Sequence, residues 1–145
     1  MIRPIQITDL PVLMALNENE LGYQYPEDKA RHQLQSLLAD QGHHFLAAAV
    51  DDQNGEVQGY IHAEVYQEIY ADTQLNILAL AVAEKWKGQG VGTALITWLE
   101  DQGRQRHIAG ILLNSGESRA SAHRFYQNRG FTLVKKQMKF IKKII

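Results

Sequence analysis

The spacing of apolar positions predicts an alternation of strands and helices along the whole chain. Ile2–Ile7 alternates as a first strand, and Thr8 is placed to cap a short helix over Asp9–Leu16. The polar and aromatic stretch Asn17–Tyr25 has no clear period and reads as a loop. Pro26, Glu27 and Asp28 then open a second helix with Leu34, Leu37 and Leu38 on one face, ending near Asp40 ahead of Gly42. Two strand-like runs, His44–Val50 and Val57–Tyr66, flank Asn54-Gly55, a strong hairpin signal. Thr73–Val82 is a further strand, whose apolar stretch Ile77–Val82 predicts burial on both faces in mid-sheet. After Gly88-Gln89-Gly90-Val91-Gly92 comes a helix with Val91, Leu95, Trp98 and Leu99 inward, stopping near Gly103. Ile108–Leu113 reads as another central strand. Ser118 is placed to cap a helix over Arg119–Arg129 that stops at Gly130. Phe131–Val134 and Gln137–Ile141 read as a last pair of strands.

Charge changes this picture more than composition does. The 145 residues carry a formal net charge of -1. Residues 1–83 hold 12 acids and three bases, a net of -9, whereas residues 84–145 hold 12 bases and four acids, a net of +8. Such asymmetry points to a charged partner. The length predicts one domain over residues 1–145, and 45% hydrophobic content is ample for one core. Without cysteine there is no disulfide framework, thiolate metal site or Cys nucleophile. The longest apolar runs fall far short of a membrane span, and the N-terminus lacks a signal-peptide pattern, so a cytoplasmic protein is the expectation. The histidines show no metal-ligand spacing, and no metal is expected.

The strand followed by a glycine loop and a helix start carries the chemistry. Glycines leave room for an anion, and loop amides converge with the unpaired amides of the helix's first turn, where the macrodipole adds positive charge. The spacing departs from a dinucleotide fingerprint, because the third glycine comes one residue early. It also departs from a P-loop, because Thr93 and Ala94 follow Gly92 without the required Lys.

Leu80-Ala81-Val82 followed by Lys87-Gly88-Gln89-Gly90-Val91-Gly92 resembles the acetyl-CoA motif of the GCN5-related N-acetyltransferases (GNAT). Ala122-His123-Arg124-Phe125-Tyr126, running on to Gly130-Phe131, resembles that family's later signature. The resemblance implies an α/β (α+β) fold with a mixed, mostly antiparallel sheet of six to seven strands. About four helices would flank it, and the sheet would splay at the acetyl-CoA site. It also implies direct acetyl transfer from acetyl-CoA to a primary amine of a small molecule or peptide. Backbone groups of Leu80, Ala81 and Val82 would pair with the pantetheine arm, and the pyrophosphate would sit on Gly88, Gln89, Gly90, Val91, Gly92 and Thr93. Tyr126 would protonate the departing CoA thiolate.

Some positions depart from the family pattern. Lys87 stands where the motif prefers Gln or Arg, and Arg119 where many relatives place an Asn that touches CoA. Ala79 and Asn114 stand where relatives keep a carboxylate or base, so that either the amine arrives deprotonated and no base is needed, or a water chain leads to an acid such as Glu64 or Glu18. Lys85, Arg124, Arg129, Lys135 and Lys136 are further candidates for the 3′-phosphate of CoA. Glu18, Glu20, Tyr23 and Tyr25 in the loop after the first helix suit a cationic amine through ion pairing and cation–π contact. Ser115-Gly116 and Arg119–Tyr126 also look like aminoalkylphosphonate acetyltransferases, which would take an anionic acceptor. A catalytically weak or silent member of the same fold, acting as an acetyl-CoA sensor or an interaction module, is the alternative. A nucleic-acid partner is not expected, because the acidic first part would repel it, nor is a membrane; a homodimer stays open.

Overall fold

A computed structural model describes all residues, 1–145, and resolves into two compact units, Met1–Leu113 and Asn114–Ile145. The first unit is built on a five-stranded sheet in the order β1 (Ile2–Pro4), β2 (His44–Val50), β3 (Val57–Glu68), β4 (Ala71–Val82), β5 (Gly110–Leu113). The first four strands pair antiparallel and β5 joins β4 in parallel. The β2–β3 hairpin turns at Asn54-Gly55, where Gly55 takes the left-handed φ of +73° that such turns require.

Helices α1 (Leu10–Leu16) and α2 (Glu27–Ala39) bury Leu10, Leu13, Leu16 and Leu34 in one cluster with Ala48, Tyr60 and Ala81. Helix α3 (Val91–Gln105) buries Val91, Leu95, Ile96 and Leu99 and packs on β2, β3 and β4. Full burial of such side chains contributes roughly 1.5–3 kcal/mol each. Pro11 sits in the first turn of α1, where a missing N–H costs nothing. Asp9, not Thr8, organises this start: its carboxylate accepts from the Gln6 amide and, through both oxygens, from the Arg3 guanidinium at 2.8 Å. That pairing holds the Asp9 carboxyl below the usual carboxylate range against the opposing effect of burial.

The second unit contains α4 (Ala120–Asn128), and Gly130 at φ +96° ends it, with the Phe131 amide returning to the Tyr126 carbonyl. Ser118 makes no side-chain cap here; Arg119 occupies the cap position.

Several expectations are corrected. The sheet has five strands instead of six to seven, because Phe131–Val134 and Gln137–Ile141 form no strands. Alternation alone does not make a strand, and the backbone beyond Phe131 finds no partner in the chain, leaving Val134, Phe140 and Ile141 exposed. β5 is an edge strand and not a central one. Ile77–Val82 is not buried throughout: Leu78 is 47% exposed. The segment after α1 is not a featureless loop either, since Asn17–Leu21 winds one π-helical turn closed by Gly22 at φ +78°.

Candidate active site

The site begins where two strands part company. β4 and β5 pair from Gln74↔Gly110 to Ile77↔Leu113, and there β5 ends while β4 runs on to Val82. At the same point β4 carries a bulge: His62 faces Ala79, but Ala63 faces Ile77, so Leu78 is the extra residue. Beyond the bulge one edge of β4 is paired to β3 and the other is open. The Ala83 amide donates to the Gln58 carbonyl, and antiparallel bonding alternates with a period of two. Ala81 and Ala79 therefore spend their backbone groups on β3, whereas those of Leu80 and Val82 point to the open edge. Gly59 allows β3 to lie close here, since a Cβ on it would come within 2.5 Å of the Ala81 carbonyl oxygen.

A single 3-10 turn over Glu84–Trp86 joins the open edge to the glycine loop. Gly88 (φ +76°) and Gly90 (φ +84°) both use the left-handed conformation, and Gly90 is the N-cap residue of α3. No atom lies within 4 Å of where a Cβ would stand on either glycine, so the cradle at the N-terminus of this 15-residue helix is clear. Leu80 and Val82 lie on the open edge, and Gly88, Gln89, Gly90, Val91, Gly92 and Thr93 form the loop and helix start that follow the turn. The Gln89 side chain turns back to donate to the Lys85 carbonyl.

The lysines of this loop are not free. Lys87 Nζ lies 2.6 Å from Glu20 Oε1 and 2.9 Å from Glu84 Oε2, contacts that raise its pKa. Lys85 Nζ lies 2.7 Å from Glu56 and over the Trp86 ring. Acids of the first part of the sequence thus meet the leading bases of the second part, and the charge asymmetry is partly cancelled in the fold. The Glu20 carboxylate, 12% exposed, thus faces the glycine loop. Glu18 accepts from the Gln24 side chain, and Tyr23 and Tyr25 are exposed at 68% and 52%. Tyr60, opposite Ala81, donates its hydroxyl to the Asn17 side chain, tying the π-turn to the sheet; burial pushes its pKa up to about 12.

On that same sheet face, cross-strand register assembles a row that the sequence reading missed. His44 faces Glu64, and Glu64 faces Asn76, whose side chain donates to it at 3.0 Å. His43 Nε2 stands 3.8 Å from Glu64. His44 Nδ1 and His62 Nε2 are 3.0 Å apart. Burial, reinforced by His44, lowers the His62 pKa to about 4 and keeps the ring neutral.

In the second unit, Tyr126 stacks edge-on with Phe125 and Phe131, and burial raises its pKa against the opposing charge of Arg119. A raised pKa keeps the phenol protonated, the state a proton donor needs. His123 contacts the Gly116 carbonyl through Nε2, and Lys136 pairs with Glu117.

The Acetyltransferase (GNAT) family profile matches residues 10–131. The chain belongs to that family. An aminoalkylphosphonate N-acetyltransferase of Salmonella typhimurium is 30% identical over 121 residues, covering 83% of this chain and 74% of that protein. Among solved structures, a transcriptional regulator from Bacillus halodurans superposes with a TM-score of 0.86 at 19% identity, over 98% of this chain and 99% of the other. An aminoglycoside 6'-N-acetyltransferase from Acinetobacter haemolyticus does so with a TM-score of 0.84 at 18% identity, over 99% of both chains. The GNAT protein described here is accordingly an N-acetyltransferase. The parted strands, bulged β4 and glycine loop are its version of the splayed sheet anticipated from the motifs. No three His, Asp or Glu side chains gather as a metal site.

Proposed function

We propose that this GNAT protein transfers the acetyl group of acetyl-CoA directly to the primary amine of a small molecule. The observation that carries the reading is the free edge of β4, followed after one 3-10 turn by the glycine cradle at the start of α3. The outward amide groups of Leu80 and Val82 bind the pantetheine arm as an added strand would, and the amides from Gly88 to Thr93 hold the pyrophosphate. The same edge offers N–H donors for the oxyanion that forms when the amine attacks the thioester. Tyr126, kept protonated by burial, supplies the proton to the departing thiolate. Arg119 assists the donor as a cation. Glu18, Tyr23 and Tyr25 contribute to an acceptor surface beside the π-turn.

Cationic amines are the acceptor class that this acidic, aromatic loop favours. Aminoalkylphosphonates are the second reading, supported by the 30% identical relative and by Ser115-Gly116 with Arg119. Thiol release from acetyl-CoA, measured over a panel of polyamines, amino sugars and aminoalkylphosphonates, tests both. Turnover confined to the phosphonates would replace the first acceptor class by the second. No turnover with any amine would refute the enzymatic reading.

A further inference from the structure

We infer that His62 and His44 form a proton relay that deprotonates the acceptor ammonium, with His62 as the base that meets it. This rests on the acetyl-transfer reading above and supplies what that reading lacks, a base, since Ala79 carries none. His62 is the cross-strand partner of Ala79, the first pair beyond the β4 bulge, where the edge of β4 opens. Directly paired residues hold their Cβ atoms ~5 Å apart on one face, so the imidazole stands beside the point at which β4 leaves β5. That face is shared with Tyr60 and Ala81, against which the helix preceding the π-turn packs.

The chemistry of the pair is directional. With His62 Nε2–H donating to His44 Nδ1 across 3.0 Å, His62 Nδ1 holds a lone pair. No hydrogen bond from the chain reaches that nitrogen. The ammonium N–H bond breaks as Nδ1–H forms on His62; the Nε2–H of His62 breaks as Nδ1–H forms on His44; and His44 releases its Nε2 proton to solvent at the rim. The neutral amine then attacks the thioester, and the two rings recover their tautomers by exchange with water. Charge never rests on His62, which matters because burial disfavours its protonated form. His44 on β2 and Glu64 on β3 are the titratable groups that act on it. Asn76 and Ala79 are its neutral neighbours from β4.

The relay is tested with His62→Gln, using kanamycin and 1-aminoethylphosphonate as protonated acceptors and hydroxylamine as a nucleophile already neutral at neutral pH. The expected result is a fall of about 10²-fold in kcat with the protonated acceptor that turns over. Hydroxylamine acetylation and CoA affinity should stay unchanged, and the defect should shrink as rising pH deprotonates the amine in solution. His44→Leu should lose activity in the same selective way, and the double variant should lose no more than His62→Gln alone. If His62→Gln does not fold, His44→Leu carries the same test. Equal losses on all acceptors would reassign the histidines to packing, and unchanged kcat would remove them from the reaction. Wild-type protein that binds CoA but turns over none of the three would overturn the acetyl-transfer reading and the relay with it.

Discussion

The Glu20–Lys87 pair makes the strongest quantitative prediction, because it would compete with the CoA phosphate proposed for the glycine loop. At the 2.6 Å separation of Lys87 Nζ and Glu20 Oε1, two unit charges attract by about 1.6 kcal/mol in a water-like dielectric. At an effective dielectric of ~20 the figure is about 6 kcal/mol. Lys87 is 51% exposed, so the lower figure applies, and the cost of ordering two long side chains brings it to ~1 kcal/mol. A CoA phosphate that recruits Lys87 must displace this contact. Glu20→Gln should therefore tighten CoA by up to ~5-fold, the factor that ~1 kcal/mol represents at room temperature. Glu84, which stays 2.9 Å from Lys87, sets this as a ceiling. Titration calorimetry with CoA, on the wild type, Glu20→Gln, Lys87→Met and the double variant, reads the effect. The gain should vanish in the Lys87→Met background and should shrink as salt is raised. An unchanged or weaker affinity in Glu20→Gln, or an equal gain without Lys87, would refute the competition.

Three other outcomes follow from features of the two units. Tyr126→Phe should lower kcat by about 10²-fold and leave CoA affinity unchanged, as steady-state kinetics beside calorimetry would show. Gly59→Ala, which forces a Cβ to 2.5 Å from the Ala81 carbonyl, should destabilise the protein by roughly 1–3 kcal/mol in denaturant titration and weaken CoA binding. The Asp9 carboxyl is depressed in the native state, so its contribution is complete above the ordinary carboxylate pKa and is lost as pH falls through the lowered native value. Asp9→Asn should cost on the order of 3 kcal/mol at neutral pH and flatten the acid limb of the stability profile, measured by thermal denaturation across pH.

The glycine loop ahead of α3 was legible in the sequence because it depends on glycine positions. Gly88 and Gly90 occupy conformations other residues resist, so their spacing announces the turn before any fold is known. The bulge at Leu78 was not legible, since its apolar neighbours read as an ordinary buried strand, and the end of β5 at Leu113 has no local signal. The His62 row was missed for a related reason. A lone histidine on an apolar strand is usually a satisfied core residue, and only the register His44↔Glu64↔Asn76 shows that four polar side chains share one face. The period-two placement of His62 and Glu64 was the available hint. The alternation in Phe131–Ile141 misled in the opposite direction, because a strand needs a neighbour and that segment has none in the chain. Lys87 and Glu20 were assigned to two different ligands, and tertiary contact joined them to each other.

The open edge of β4 has one more consequence. In the proposed reading its contribution to binding acetyl-CoA would come from peptide groups, which every residue carries, so Leu80 and Val82 could be exchanged for other side chains without erasing a hydrogen-bonding group. Proline is the exception: it lacks the N–H, and at residue 80 or 82 it would delete a donor while leaving β4 bonded to β3. The proposed acceptor side, made of carboxylates, rings and imidazoles, would have no such latitude. In that reading, substitutions would change which amine is chosen far more readily than what delivers the acetyl group.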